Sequence, residues 1–244
     1  NIKDFSYDDR SDKQDKIFRL KNINFNAFPG ELIGIVGSSG CGKSTVLKLI
    51  AADLFPVDGS IICHVANEKR ISFPGNYKSD VIEYKEQVGM VSQDSHIFSE
   101  SVAFNVGLSR EASSHFDEFW KWMITQIPYL EKWQDPKILI ETQNISAGEK
   151  QLLSAVRACY LKKMIVLFDE ISSALDSELE LALRKVVLLI QKQSLTFIVA
   201  HRLETVKGAN KIIVMEKGKI AAVGSHKELL KVSSHYKGLV EEMS

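Results

Sequence analysis

The sequence predicts an α/β fold: a core of parallel strands around a phosphate-binding loop, with antiparallel strands at the amino end and a helical subdomain inserted into the core. Three observations lead there. First, Gly37-Ser38-Ser39-Gly40-Cys41-Gly42-Lys43-Ser44-Thr45 matches G-x-x-x-x-G-K-[ST] at every fixed position. It lies between the apolar run 32–36, which reads as a buried strand, and a helical repeat at Val46, Leu47 and Ile50. Second, short apolar runs at 88–91, 164–168 and 196–200 each end in polar residues: Ser92-Gln93-Asp94, Asp169-Glu170 and His201. Third, aromatic and aliphatic residues recur at helical spacing over 101–144, which holds all three tryptophans, Trp120, Trp122 and Trp133.

Taken in order, Phe5-Ser6-Tyr7 and then Phe18, Leu20, Ile23 and Phe25 read as two strands joined by an exposed polar loop. Pro29-Gly30 turns the chain into the strand before the phosphate loop. The following helix is expected to end near Leu54, where Phe55-Pro56-Val57-Asp58-Gly59 is dense in turn residues. Residues 60–65 return as a strand. The stretch 66–83 has no clear period and reads as a surface loop with at most one short strand. In 101–144, Pro128 and Pro136 punctuate the helices, and the aromatic residues serve either as plain core or as a groove for a partner helix.

Ser146 and Glu149 form a capping-box pattern at the start of a helix carrying Leu152, Val156 and Cys159 on one face. A second such pattern, Ser177 with Glu180, opens a helix to about Lys192. Residues 212–215 and 220–223 read as a strand pair, and two short helices close the chain. The expected division is one domain, with a core of about 1–94 and 147–244 and a helical part of about 95–146.

Composition narrows the function. Lys plus Arg and Asp plus Glu both total 31, so the basic excess of counterion-releasing nucleic-acid binders is absent and no nucleic-acid partner is expected. Three widely spaced cysteines, Cys41, Cys63 and Cys159, fit neither a disulfide framework nor a zinc site, and a reducing compartment is expected. No apolar run approaches the ~20 residues of a membrane span, so the chain is expected to be soluble. Its start at Asn1, without a leader, is expected of a piece of a longer polypeptide.

The chemistry follows from the loop. Glycines at Gly37, Gly40 and Gly42 let successive N–H groups point at one anion at the positive end of a helix. Lys43 would reach the β- and γ-phosphates, Ser44 would place its hydroxyl on Mg²⁺, and Thr45 would touch the α-phosphate. In a parallel sheet, Gln93, Asp169-Glu170 and His201 would all lie along the same edge as this loop. Cys41 is either a thiolate stabilised by the helix start or a small space-filling residue.

With these motifs in this order, the chain resembles the ATP-binding cassette (ABC) transporter family over nearly its whole length. Phe5-Ser6-Tyr7 is similar to the family's A-loop, Gln93 to its Q-loop, and Ile145-Ser146-Ala147-Gly148-Glu149-Lys150-Gln151 to its signature. Residues 164–170 resemble the Walker B strand with the catalytic glutamate, Ser173-Ala174-Leu175-Asp176 the D-loop, and His201 the switch histidine. The resemblance implies a RecA-like P-loop NTPase core with ATP and Mg²⁺ as cofactors. It implies Tyr7 stacking on adenine, and Gly37, Ser38, Ser39, Gly40, Cys41, Gly42, Lys43, Ser44 and Thr45 holding the phosphates. Ser44, Gln93 and Asp169 would stand at the metal, Asp169 directly or through water, while Glu170 polarises the attacking water and His201 contacts the γ-phosphate. Lys43 and Gln93 complete the catalytic set.

In the family, the signature meets ATP held by a second copy, so Ser146, Gly148 and Asp176 are expected at that interface. Here Ile145, Ala147 and Glu149 depart from the usual L-S-G-G-Q. The methyl of Ala147 limits close approach and Glu149 adds charge near an anion, so weakened ATP-driven dimerisation is expected. Ile97-Phe98-Ser99-Glu100-Ser101-Val102 and the ending Gly224-Ser225-His226-Lys227-Glu228-Leu229-Leu230 are similar to exporters. The implied protein is an ATP-hydrolysing exporter motor at the cytoplasmic face of a membrane, with transmembrane domains as partners. A weakly hydrolysing regulatory module and a soluble ABC ATPase are the alternatives.

Overall fold

Strands that are apolar on both faces need a layer of helices on each side, because each face must be removed from water. A computed structural model describes residues 2–6, 20–56, 58–64, 70–73, 78–92, 94–110, 114–170, 175–200 and 202–243. In chain order its elements are β1 (Ile2–Ser6), β2 (Leu32–Val36), α1 (Lys43–Ile50), β3 (Asp58–His64), β4 (Arg70–Phe73), α2 (Lys78–Gln87) and β5 (Val88–Ser92). Next come α3 (Val102–Gly107), α4 (Ser114–Gln126), a 3₁₀ turn (Pro128–Trp133), α5 (Ala147–Tyr160), β6 (Ile165–Asp169) and α6 (Ser177–Gln191). The last elements are β7 (Leu195–Val199), α7 (Leu203–Val206), β8 (Lys211–Glu216), β9 (Lys219–Gly224), α8 (His226–Val232) and α9 (Ser234–Met243).

The large sheet has the order β5-β6-β7-β2-β8-β9 and is parallel except for β9, which returns antiparallel along β8. A second sheet, β1-β3-β4, is antiparallel. Alternate residues of the parallel strands supply two cores. Val36, Phe168, Ile198 and Val214 pack in the cluster with α5 and α6, while Ile35, Leu167, Val199 and Met215 pack in the cluster with α1. Each such side chain contributes roughly 1.5–3 kcal/mol by leaving water, so both helical layers are needed to hold the strands flat against one another.

Four local expectations are corrected. The strand expected over 18–25 does not form in its described part: Asn22 at φ 55° breaks the alternation, and Leu20 and Ile23 enter the α1-side core from an irregular segment tied to Gly218 O through Lys21 N at 2.9 Å. Helix α1 stops at Ile50, not near Leu54, because Ala52 turns left-handed at φ 57° and the N–H groups of Ala52 and Asp53 bond back to Leu49 O and Lys48 O. The helix α6 is capped by Asp176, whose carboxylate accepts from Leu179 N at 2.8 Å, and not by Ser177.

The fourth correction is α2, which occupies part of the expected loop. It carries no sustained apolar stripe. Tyr84 is its anchor: the side chain is buried and its hydroxyl donates to Ile50 O at 2.6 Å, satisfying a carbonyl at the end of α1. Among the tryptophans, Trp120 and Trp133 are core and are joined by Trp120 Nε1 donating to Trp133 O at 3.0 Å, whereas Trp122 is 44% exposed. Tyr84→Phe removes the bond but keeps the ring, and is expected to lower the unfolding free energy by about 1–2 kcal/mol in a urea titration.

Candidate nucleotide site

Between β2 and α1 the chain must turn sharply beside β8. A side chain at Gly37 would put Cβ 2.4 Å from Met215 O and 2.7 Å from Cys41 Sγ, so only glycine fits there. Gly42, at φ 107°, is the left-handed residue from which α1 starts, and no side chain caps that start. The first-turn N–H groups of α1 are therefore left for an anion. The Lys43 ammonium is folded onto the loop, donating to Gly37 O at 2.7 Å and Ser38 O at 3.0 Å. Ser38, Ser39 and Gly40 are exposed on its outer side and Thr45 is half-buried in α1.

Ser44 Oγ donates to Asp169 Oδ1 at 3.0 Å, joining the phosphate loop to the end of β6 across 125 positions of sequence. The two side chains offer adjacent hard oxygen donors of the kind Mg²⁺ takes, few in number, with the rest of the shell left to water and phosphate. Glu170, next in the chain, stands exposed at φ 58°, a left-handed conformation uncommon for a residue with a Cβ. Its carbonyl accepts from Gln151 Nε2 at 3.0 Å, so α5 holds the loop that carries it. Arg202, one position past the expected switch histidine, is paired with Glu180 at 3.0 Å. Tyr7, Gln93, Ser173, Ala174 and His201 lie outside the described residues.

Cys41 is the space-filling alternative. Burial pushes its thiol up from the ordinary value of 9.0, outweighing the charge of Lys43 and the backbone N–H groups. The helix start does not make it a thiolate.

At the start of α5, Ser146 Oγ accepts from Glu149 N at 3.2 Å and Glu149 Oε2 accepts from Ser146 N at 2.9 Å, closing a full capping box. Sequence reading placed the charge of Glu149 against an incoming anion. Its side chain is instead buried, with Oε1 accepting from Tyr129 OH at 3.0 Å and from Lys132 Nζ. Burial raises the pKa of this carboxyl, but the hydrogen bonds from Lys132, Ser146 and Tyr129 and the charge of Lys132 outweigh it and hold the group below 4.5. Burial and then Glu149 push the Tyr129 hydroxyl well above its usual range, so it remains a donor.

Gly148 has a different reason to be glycine. A Cβ there would lie 2.1 Å from Leu175 Cδ2 and 2.6 Å from Leu179 Cδ2. Its neighbour Ala147 is exposed and has room for its methyl. Lys132, Tyr129 and Gln151 are the functional neighbours that sequence reading missed. Gln151 was within reach as part of the motif 145–151, but nothing in sequence spacing ties Lys132 to a residue 17 positions on.

Comparisons with known proteins identify the family. A family model described as "ABC transporter" matches residues 20–173. The probable multidrug resistance ABC transporter ATP-binding/permease protein YheH of Bacillus subtilis is 30% identical over 228 residues, 91% of this chain and 32% of that protein. The ATP-dependent lipid A-core flippase of Burkholderia pseudomallei is 31% identical over 224 residues, 89% of this chain and 36% of the flippase. The alpha-hemolysin translocation ATP-binding protein HlyB of Escherichia coli is 36% identical over 222 residues, 89% of this chain and 30% of HlyB. The chain thus spans about one third of the length of these relatives.

Two outcomes are expected of the packing. Gly148→Ala forces Leu175 and Leu179 to move and is expected to cost about 1–3 kcal/mol of stability, part of which Leu175→Ala restores in the double variant. Alkylation of Cys41 by iodoacetamide, followed by mass spectrometry, is expected to be roughly tenfold or more slower than that of a free thiol at pH 8, with a rate still climbing as pH passes 9.0.

Proposed function

Because this chain belongs to the ABC transporter family, as an ATP-binding ATPase part of the exporter type, we propose that it is the motor of an exporter whose membrane domains lie elsewhere in the protein. Two copies pair head-to-tail around two ATP molecules, each gripped by one copy's phosphate loop and the other's signature. Nucleotide-driven closing and opening of the pair moves the membrane domains from the cytoplasmic face. The helical part, about 95–146, carries that motion. No helix among the described residues is long and apolar enough to cross a membrane.

The observation that carries the reading is the 3.0 Å contact between Ser44 Oγ and Asp169 Oδ1 at the mouth of the phosphate loop. Mg²⁺ bound by these two groups would neutralise phosphate charge. Lys43, which now donates to the carbonyls of Gly37 and Ser38, transfers its hydrogen bonds to the β- and γ-phosphate oxygens. Glu170 accepts a proton from the attacking water. Its left-handed backbone turns it out of the line of β6. Gln93 and His201 complete the set by orienting that water and contacting the γ-phosphate, and Tyr7 stacks on the adenine. Ser146, Gly148 and Asp176 face the ATP of the opposite copy.

One observation favours a second reading, a regulatory module that closes on ATP and barely hydrolyses it: the signature has Ala147 and Glu149 where the family's usual pattern has Gly and Gln. Steady-state ATPase assays separate the two. The motor reading expects hydrolysis that EDTA abolishes and that Glu170→Gln lowers by roughly 10² to 10⁴ while nucleotide still binds. Equal, near-zero rates for the unmodified chain and Glu170→Gln would leave the regulatory module.

A further inference from the structure

An acidic residue in the first turn of α5 poses an electrostatic problem that rests on the head-to-tail reading above. If a triphosphate from a second copy is to meet this helix start, a carboxylate one turn inside it opposes the approach, in a region where partial burial strengthens charge–charge forces. Glu149 is that carboxylate, and the structure deals with it in a specific way. One oxygen is used within the helix start, accepting from Ser146 N at 2.9 Å. The other is drawn towards the 3₁₀ turn, where Lys132 Nζ and Tyr129 OH donate to it.

Lys132 is itself fixed. Its ammonium lies 4.8 Å from the centre of the Trp133 ring and 5.5 Å from that of Tyr129, a cationic position that two aromatic faces favour. Trp133 is buried in the core of the helical part, so the cation is supplied from a rigid platform and not from a mobile surface chain. Lys132 keeps 44% of its side-chain surface exposed, whereas Glu149 keeps 8%. The pair therefore presents its positive end to solvent and hides its negative one.

We infer that Lys132 is the positioning residue that makes this acidic signature usable: it screens Glu149 and holds the carboxylate in the helical part, so that the start of α5 can receive the triphosphate of a second copy. Sequence reading gave Glu149 as a defect that weakens closure. With Lys132 in place the net charge of the pair is zero, as it would be for the glutamine of the usual signature. Without Lys132, Glu149 is a buried carboxylate with no cation in contact among the described residues, and such groups are far more disruptive than the paired state is favourable.

The test uses the Glu170→Gln chain, in which hydrolysis is expected to be roughly 10² to 10⁴ slower, and reads ATP-dependent association by light scattering across a salt series, with binding of a fluorescent ATP analogue to the separate chain as the parallel readout. Lys132→Met is expected to weaken association about tenfold, an effect that shrinks as salt rises, while nucleotide binding by the separate chain moves less than about twofold. Lys132→Arg is expected to keep most of the association. The deciding variant is Lys132→Met with Glu149→Gln, which removes the cation and the charge it screens and is expected to restore association to within about twofold of the parent. If the double variant stays as weak as Lys132→Met, or Lys132→Met associates like the parent, the inference is overturned and the head-to-tail reading stands. If the parent itself fails to associate on adding ATP, the head-to-tail reading falls and the inference falls with it.

Discussion

One row of hydrogen-bonded strands brings the phosphate loop and the Asp169-Glu170 pair to the same edge of the sheet. Ser92 pairs with Asp169, Asp169 with Val199, Val199 with Ile35, and Ile35 with Ile213, so five strands are level along a single line of the sheet. The described residues that follow this row are Glu170, directly after Asp169, and the phosphate loop, which starts one residue on, after Val36. A strand can slip its register only in steps that swap its two faces or break this alignment. The central strands are covered by helices on both faces, so a slip of one residue would exchange the side chains fitted to the α1-side core with those fitted to the α5–α6 core. The alignment of a serine, a carboxylate and a glycine loop from distant parts of the chain is therefore a by-product of core packing, and it costs the site no ordering of its own.

Core packing also explains which parts of the chain were legible in its sequence. Strands apolar on both faces, such as β2, β6 and β8, and the phosphate loop with its fixed spacing, were readable because one physical requirement governs each residue. The helix α2 was not, since its stability rests on one buried tyrosine reaching a carbonyl 34 positions away and not on a stripe of its own. The segment containing Leu20 and Ile23 looked like a strand because its apolar spacing is near two, but those side chains are buried by an irregular path and the N–H of Lys21 goes to a turn instead of a neighbouring strand. Asp176 and Ser177 are both good caps, and sequence could not rank them. The charge state of Cys41 was a contest between burial and a nearby cation, which needs coordinates to decide.

The signature illustrates the same limit in a more consequential place. Read along the chain, Glu149 is a negative charge at the start of a helix expected to meet an anion. Read in three dimensions, the same carboxylate closes a capping box with one oxygen and engages a lysine and a tyrosine from the 3₁₀ turn with the other. The capping box therefore does more than begin α5: it holds the carboxylate pointing back along the helix, towards Lys132, and so ties the helical part to the core at the point where the signature begins.

The neighbours Ala147, which departs from the usual signature, and Gly148, which retains it, then have separate causes. Ala147 is exposed, and its methyl group meets nothing that the fold requires. At Gly148 the space a Cβ would need is filled by the side-chain ends of Leu175 of the expected D-loop and Leu179 of α6. A glycine that looks like a ligand-approach residue in sequence is held by packing within its own chain. The start of α5 and the segment leading into α6 are thus packed directly on one another. The carbonyl of Glu170 is bound to Gln151 on that same helix, so α5 links the signature to the loop carrying the proposed base. A displacement at the proposed head-to-tail interface would reach Glu170 through α5 and the bond from Gln151.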